Sequence, residues 1–131
     1  MRNIDLKFLL LAVLCLTVGV SLGLYMAIRH DFMLAPVHAH LNLLGWVSLA
    51  LFGIVYRIYP ELAERKLAAV HFALSAPAAV MMPAGIAMAI LLERPLVAIV
   101  GGLLWFAGVI IFLIQLASLA LRPAPTLVPA E

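Results

Sequence analysis

LVAIVGGLLWFAGVIIFLIQLASLAL, residues 96–121, contains no charged side chain, and among its polar groups only Gln115 and Ser118 stand out. An uncharged run of this length is long enough as a helix to cross a hydrocarbon core about 30 Å thick. Moving outward toward the N-terminus, three similar runs appear. Glu93-Arg94-Pro95 separates the fourth run from a third, Leu67 to Leu92, which is interrupted by Pro77, Pro83 and Gly85. The charged group Glu61, Glu64, Arg65, Lys66 separates the third from a second, Val37 to Tyr59, and Arg29-His30-Asp31 separates that from a first, Leu6 to Ile28. In lipid each run must close its backbone hydrogen bonds internally, so each is expected to be helical.

Composition agrees with this reading. Of the 131 residues, 67% are apolar and 11% charged, and the mean hydropathy is +1.23. A water-soluble domain carries about 25% charged residues, so a soluble enzyme, a disordered chain and a nucleic-acid binder are excluded. The fold class expected is all-α: an integral membrane four-helix bundle with spans near 6–29, 37–59, 67–92 and 96–121. These form one domain over residues 1–122, followed by a flexible proline-rich tail, 123–131. The first run also resembles a signal peptide, with a basic start and Ser21-Leu22-Gly23 after an apolar stretch. That stretch continues to Ile28, beyond the about 7–15 residues of a signal core, so a retained helix is expected. The single cysteine, Cys15, can make no internal disulfide.

Lys and Arg set the orientation. Arg2, Lys7, Arg57, Arg65, Lys66 and Arg122 fall on one side of the membrane, Arg29 and Arg94 on the other. Both termini are therefore expected on the cytoplasmic side, with a bacterial inner membrane as the setting.

The chemistry-bearing stretch is His38-Ala39-His40-Leu41-Asn42-Leu43-Leu44-Gly45-Trp46, at the outer opening of the second helix. Ionisable groups inside a span are costly unless they face protein, water or a cofactor. Residues i and i+2 of a helix point about 200° apart, so His38 and His40 are unsuited to clamping one ion together. They could each serve a different centre on opposite sides of the helix. Asn42 follows His38 by four residues, on nearly the same face, where it could orient an imidazole or a cofactor substituent. Gly45 removes a side chain where a large flat ring would need room. His71 lies about one turn into the third helix, on the cytoplasmic side. The second helix rises about 28 Å from His38 to Arg57 at 1.5 Å per residue, so His71 is at the wrong depth to join the pair and is expected to be a satisfied interface residue. His30 is expected to be solvated and Met81-Met82 to pack in the core. Gly101, Gly102 and Gly108 are expected to bring helices close, and Gln115 to form an interhelical hydrogen bond.

His38-Ala39-His40-Leu41-Asn42-Leu43-Leu44-Gly45 resembles the haem-ligand helix of the haem-copper oxidase superfamily, nearest to its nitric-oxide-reductase and cbb3-type branches, where His-x-His-Leu-x-x-x-Gly occurs. That family's catalytic subunit is built from three four-helix units in pseudo-threefold arrangement, with ligand histidines on the second helix of each unit. The resemblance implies that this chain is one such unit, assembling as a homotrimer. It also implies haem b held by His38 and His40 at subunit interfaces, and electron transfer or haem-based redox or gas chemistry with a donor such as quinol or cytochrome c. Arg94, and with it Arg29, is similar in position to arginines that hold haem propionates. The family's copper site needs three histidines, and the only further candidate, His71, is at the opposite face. Copper is therefore not expected, nor full oxygen reduction. The competing classes are a non-catalytic small subunit stabilising a larger respiratory or transport complex, which leaves the histidine pair unexplained, and a small transporter, for which no acidic relay is seen.

The charge asymmetry makes a direct prediction. A reporter fused to the C-terminus is expected to be active in its cytoplasmic form and silent in its periplasmic form; the reverse pattern would overturn the orientation.

Overall fold

The computed structural model describes residues 3–121; Arg2, Arg122 and the tail 123–131 lie outside them. Among the described residues four helices are long and apolar enough to span a membrane: Ile4–Arg29, Ala35–Ile58, Lys66–Leu92 and Leu96–Ala120. Their ends lie within two residues of those expected from hydropathy. A short helix, Pro60–Ala63, joins the second span to the third. The end carrying the N-terminus and this connection is called basal below, and the opposite end distal.

The distal turns are closed by backbone geometry. His30 and Glu93 both adopt the left-handed region, with φ of 52° and 56°. In each case the next residue's N–H reaches back to the helix, Asp31 five positions to the Met26 carbonyl at 3.2 Å and Arg94 six positions to the Met88 carbonyl at 3.3 Å. This pattern satisfies carbonyls that a helix end otherwise leaves open. The Asp31 carboxylate then accepts a bond from the Met33 N–H at 3.0 Å, tightening the turn into the second span.

Two antiparallel hairpins, first span with second and third with fourth, pack against each other chiefly through the third span. Small residues set their register. In the first hairpin a Cβ added at Gly53 would stand 2.9 Å from Leu9 Cγ and from the Asp5 carbonyl oxygen. One at Gly45 would stand 2.6 Å from Cys15 Cβ, and one at Gly19 2.7 Å from Asn42 Nδ2. In the second hairpin Gly85 lies directly on the backbone of Val97 and Ala98, Gly101 on that of Met82, and Gly108 on Ser75 Oγ. Without a hydrophobic driving force between helices in lipid, such close approach supplies the van der Waals contact that holds spans together.

The third span is helical over Lys66–Leu92, through Pro77 and Pro83, as expected for residues 67–92. One feature departs from simple helical spans. The second span changes character in its middle. Ala35–His40 and Leu49–Ile58 are α-helical, whereas Leu41–Ser48 is a π-helix. Within it Ser48 Oγ donates to the Leu43 carbonyl, five residues back, at 2.8 Å. π-helical turns are rare and are frequently found at functional sites.

The glycines are unequal, and this can be measured. Gly85→Ala would press a methyl group into backbone and is expected to destabilise the bundle by about 1–3 kcal/mol. A Cβ at Gly102 meets only Met82 Cε, at 3.7 Å. Gly102→Ala should therefore be neutral or stabilising, with up to about 1 kcal/mol from helix propensity. Denaturant titration in mixed micelles, followed by circular dichroism, would rank the two variants.

Candidate functional site

The histidines and side-chain amides inside the spans fall into two groups, one near each end of the bundle. The distal group contains the sequence-predicted residues. His38 is half-buried, with its ring in a notch of the first span: a Cβ at Gly23 would lie 2.8 Å from His38 Cε1. Its Nδ1 is 2.8 Å from the Gly19 carbonyl oxygen. A carbonyl only accepts, so the neutral imidazole carries its proton on Nδ1 and its lone pair on Nε2. His40, also half-buried, has the same arrangement with a different partner: Nδ1 lies 2.7 Å from the Pro36 carbonyl oxygen, one turn back. Both histidines thus have Nδ1–H donating to a backbone carbonyl and Nε2 as the basic nitrogen. This is the orientation that metal-ligating histidines adopt, the bond to Nδ1 fixing both the tautomer and the ring.

Asn42 braces this group. Its Nδ2 donates to the His38 carbonyl at 2.8 Å, and lies 3.4 and 3.5 Å from the two ring nitrogens of His38. The same amide fills the notch at Gly19. Gly19 and Gly23 were not singled out from sequence. Their four-residue spacing on a span is a recognisable close-approach signal, and here it receives Asn42 and His38. The room expected at Gly45 for a ring is occupied instead by Cys15 of the first span. Arg29 and Arg94 are both exposed at the distal end, where the second span begins.

The basal group is fully buried. Tyr56 is 1% exposed, and His71, Ser75 and Gln115 are 0% exposed. Gln115 Nε2 donates to Tyr56 Oη at 2.7 Å, and Tyr56 Oη is 2.9 Å from His71 Nδ1. The interhelical bond expected of Gln115 is therefore present and links the second and fourth spans. His71 is a core residue rather than the interface residue expected, with ring centroids of Phe52, Phe8 and Phe112 at 4.6, 5.0 and 5.2 Å. Tyr56 was missed from sequence. The signal was available in depth: Tyr56 and His71 flank the basal connection at similar distances, so antiparallel packing brings them level. Below this group Arg57 pairs with Asp5 at 3.2 Å, tying the first span to the second. Arg65 Nη1 donates to Ser118 Oγ at 2.5 Å, tying the third to the fourth.

Tyr56 is the member on which the basal network turns. Tyr56→Phe leaves His71 Nδ1 and Gln115 Nε2 buried without their shared partner, and a buried polar group so stranded costs about 1–3 kcal/mol. Tyr59→Phe, at an exposed position, is the control and should stay within about 0.5 kcal/mol. Equal stability of the two variants in micelle unfolding would contradict this network.

Compared with known proteins, the chain matches no family model, no curated protein and no solved structure.

Proposed function

We propose that this integral membrane protein binds haem b through His38 and His40, as a homotrimeric, single-unit relative of the haem-copper oxidases. The observation that carries the reading is the shared geometry of the two imidazoles. Each Nδ1–H is taken by a backbone carbonyl, Gly19 for His38 and Pro36 for His40, and each Nε2 is the nitrogen left to ligate. Two bonds to carbonyls on different elements hold the two rings independently, which suits ligands of different sites better than a shared ion.

Bound haem would supply one-electron redox chemistry at its iron, with a potential set by the axial ligands and their hydrogen bonds. The chain's own part is to orient and to neutralise. Asn42 holds the His38 turn against the first span. Arg94 and Arg29, exposed at the same end, offer guanidinium groups to propionates, which they can bind through paired hydrogen bonds. Because His38 and His40 diverge, one histidine from each of two neighbouring chains would complete a site, and a closed ring of three chains gives three equivalent sites. An imidazole from each of two chains would occupy the iron's open positions, which would favour electron transfer over gas reduction. Quinol or cytochrome c fits as donor, and a bacterial inner membrane with cytoplasmic termini fits the charge asymmetry. Copper has no part in the reading, since His71 is committed to Tyr56 at the basal end.

Purified protein is expected to be red, with a low-spin, six-coordinate spectrum and little carbon monoxide binding. Either His38→Ala or His40→Ala should abolish six-coordination. A spectrum disturbed by only one of them would refute the shared site. A monomer retaining full haem in native mass spectrometry would remove the trimer, and a colourless protein from haem-supplied cells would remove the haem.

A further inference from the structure

The basal cluster holds three polar atoms with no hydrogen-bond partner among the described residues: His71 Nε2, Ser75 Oγ and Gln115 Oε1. Buried polar atoms in native structures are overwhelmingly bonded, to protein or to ordered water. The three are complementary in kind. Gln115 donates its amide proton to Tyr56 Oη, and the tyrosine hydroxyl then gives its own proton to His71 Nδ1. The reverse assignment, with Nδ1–H donating, would strand the hydroxyl proton. His71 therefore carries a proton on Nε2, a donor, while Gln115 Oε1 is an acceptor and Ser75 Oγ can be either.

Geometry draws two of these groups together. His71 and Ser75 are one turn apart on the third span, and both lie over the missing side chain of Gly108. A Cβ there would touch Ser75 Oγ and stand 3.6 Å from His71 Cδ2. At the basal end a cavity of ≈ 520 Å³ is lined by Asn3, Asp5, Tyr56, Arg57 and Glu64, among others. Tyr56 belongs to both features: it lines the cavity and bonds to His71 and Gln115. The charged groups, Asp5 paired with Arg57 and Glu64, stay at the cavity. The rings packed on His71, from Phe8, Phe52, Phe112 and Tyr56, are uncharged.

We propose that this cluster is a water-binding site, reached from the basal cavity past Tyr56 and ending at His71 and Ser75. Water is the ligand that fits, because it both donates and accepts and carries no charge into an uncharged aromatic setting. The site is separate from the His38–His40 group and does not depend on haem.

Solid-state NMR of the full chain in lipid bilayers, labelled with ¹⁵N-histidine, tests this directly. Four histidines are present, and His71→Phe identifies the relevant signal by its loss. The His71 Nε2 proton is expected to receive magnetisation from water at short mixing times and to exchange into D₂O within minutes. Ser75→Ala, which removes one partner without adding bulk, and Gly108→Ala, which places a methyl against Ser75 Oγ, should each slow that exchange at least tenfold. Protection for days in the wild type, as for mid-span backbone amides, would overturn the proposal. So would fast exchange that neither variant alters, since the water would then be elsewhere.

Discussion

A polar group inside a bilayer has no solvent to fall back on, and the rest of this structure depends on that constraint. It makes every apolar run a helix, since only internal bonds can satisfy the backbone. It also decides where polar side chains can stand. Ser21 and Thr17 return their hydroxyls to carbonyls of their own helix. Gln115, which has no such local solution for its amide, reaches across to Tyr56. His38 reaches the Gly19 carbonyl of another span and His40 the Pro36 carbonyl of its own. Each contact between spans that involves a polar atom is thus also a statement about relative depth and rotation.

Close packing sharpens those statements. With no hydrophobic gain to be had between helices in lipid, the spans cohere where backbones approach most closely. Gly45 against Cys15 and Gly19 against Asn42 set the first hairpin; Gly85 against Ala98 and Gly108 against Ser75 set the second. The notch at Gly19 and Gly23 does two things at once. It lets the second span come near, and it exposes a carbonyl to the His38 ring. Packing and the tautomer of a candidate ligand are in this way consequences of the same missing side chains.

The bundle keeps its polar chemistry at two separated depths with different characters. The distal histidines bond through Nδ1 to carbonyls, which leaves Nε2 basic and half-buried. The basal histidine bonds through Nδ1 to a hydroxyl that is itself tied to Gln115, and is packed against phenylalanines. An imidazole at the first depth is prepared to give an electron pair; one at the second is prepared to give a hydrogen bond. Aromatic packing around Phe8, Phe52 and Phe112 surrounds the basal group, and the ion pair Asp5–Arg57 lines the cavity below it.

Much of the fold was legible in the linear chain. Four apolar runs, divided by short charged or turn-forming groups, determined four spans and their ends, because transfer into lipid depends on composition over a window and hardly on neighbours. The interhelical bond of Gln115 was equally legible, since an amide deep in a span must find its partner on another helix. Tertiary structure alone decided the partners. That His71 is a core residue, that Tyr56 joins it to Gln115, and that Cys15 rather than open space lies against Gly45 all depend on the rotation and register of one span against another. Neighbouring side chains in sequence carry no record of that phase. The π-helical stretch at Leu41–Ser48 belongs to the same class, since nothing in the local sequence marks it off from the α-helical turns on either side.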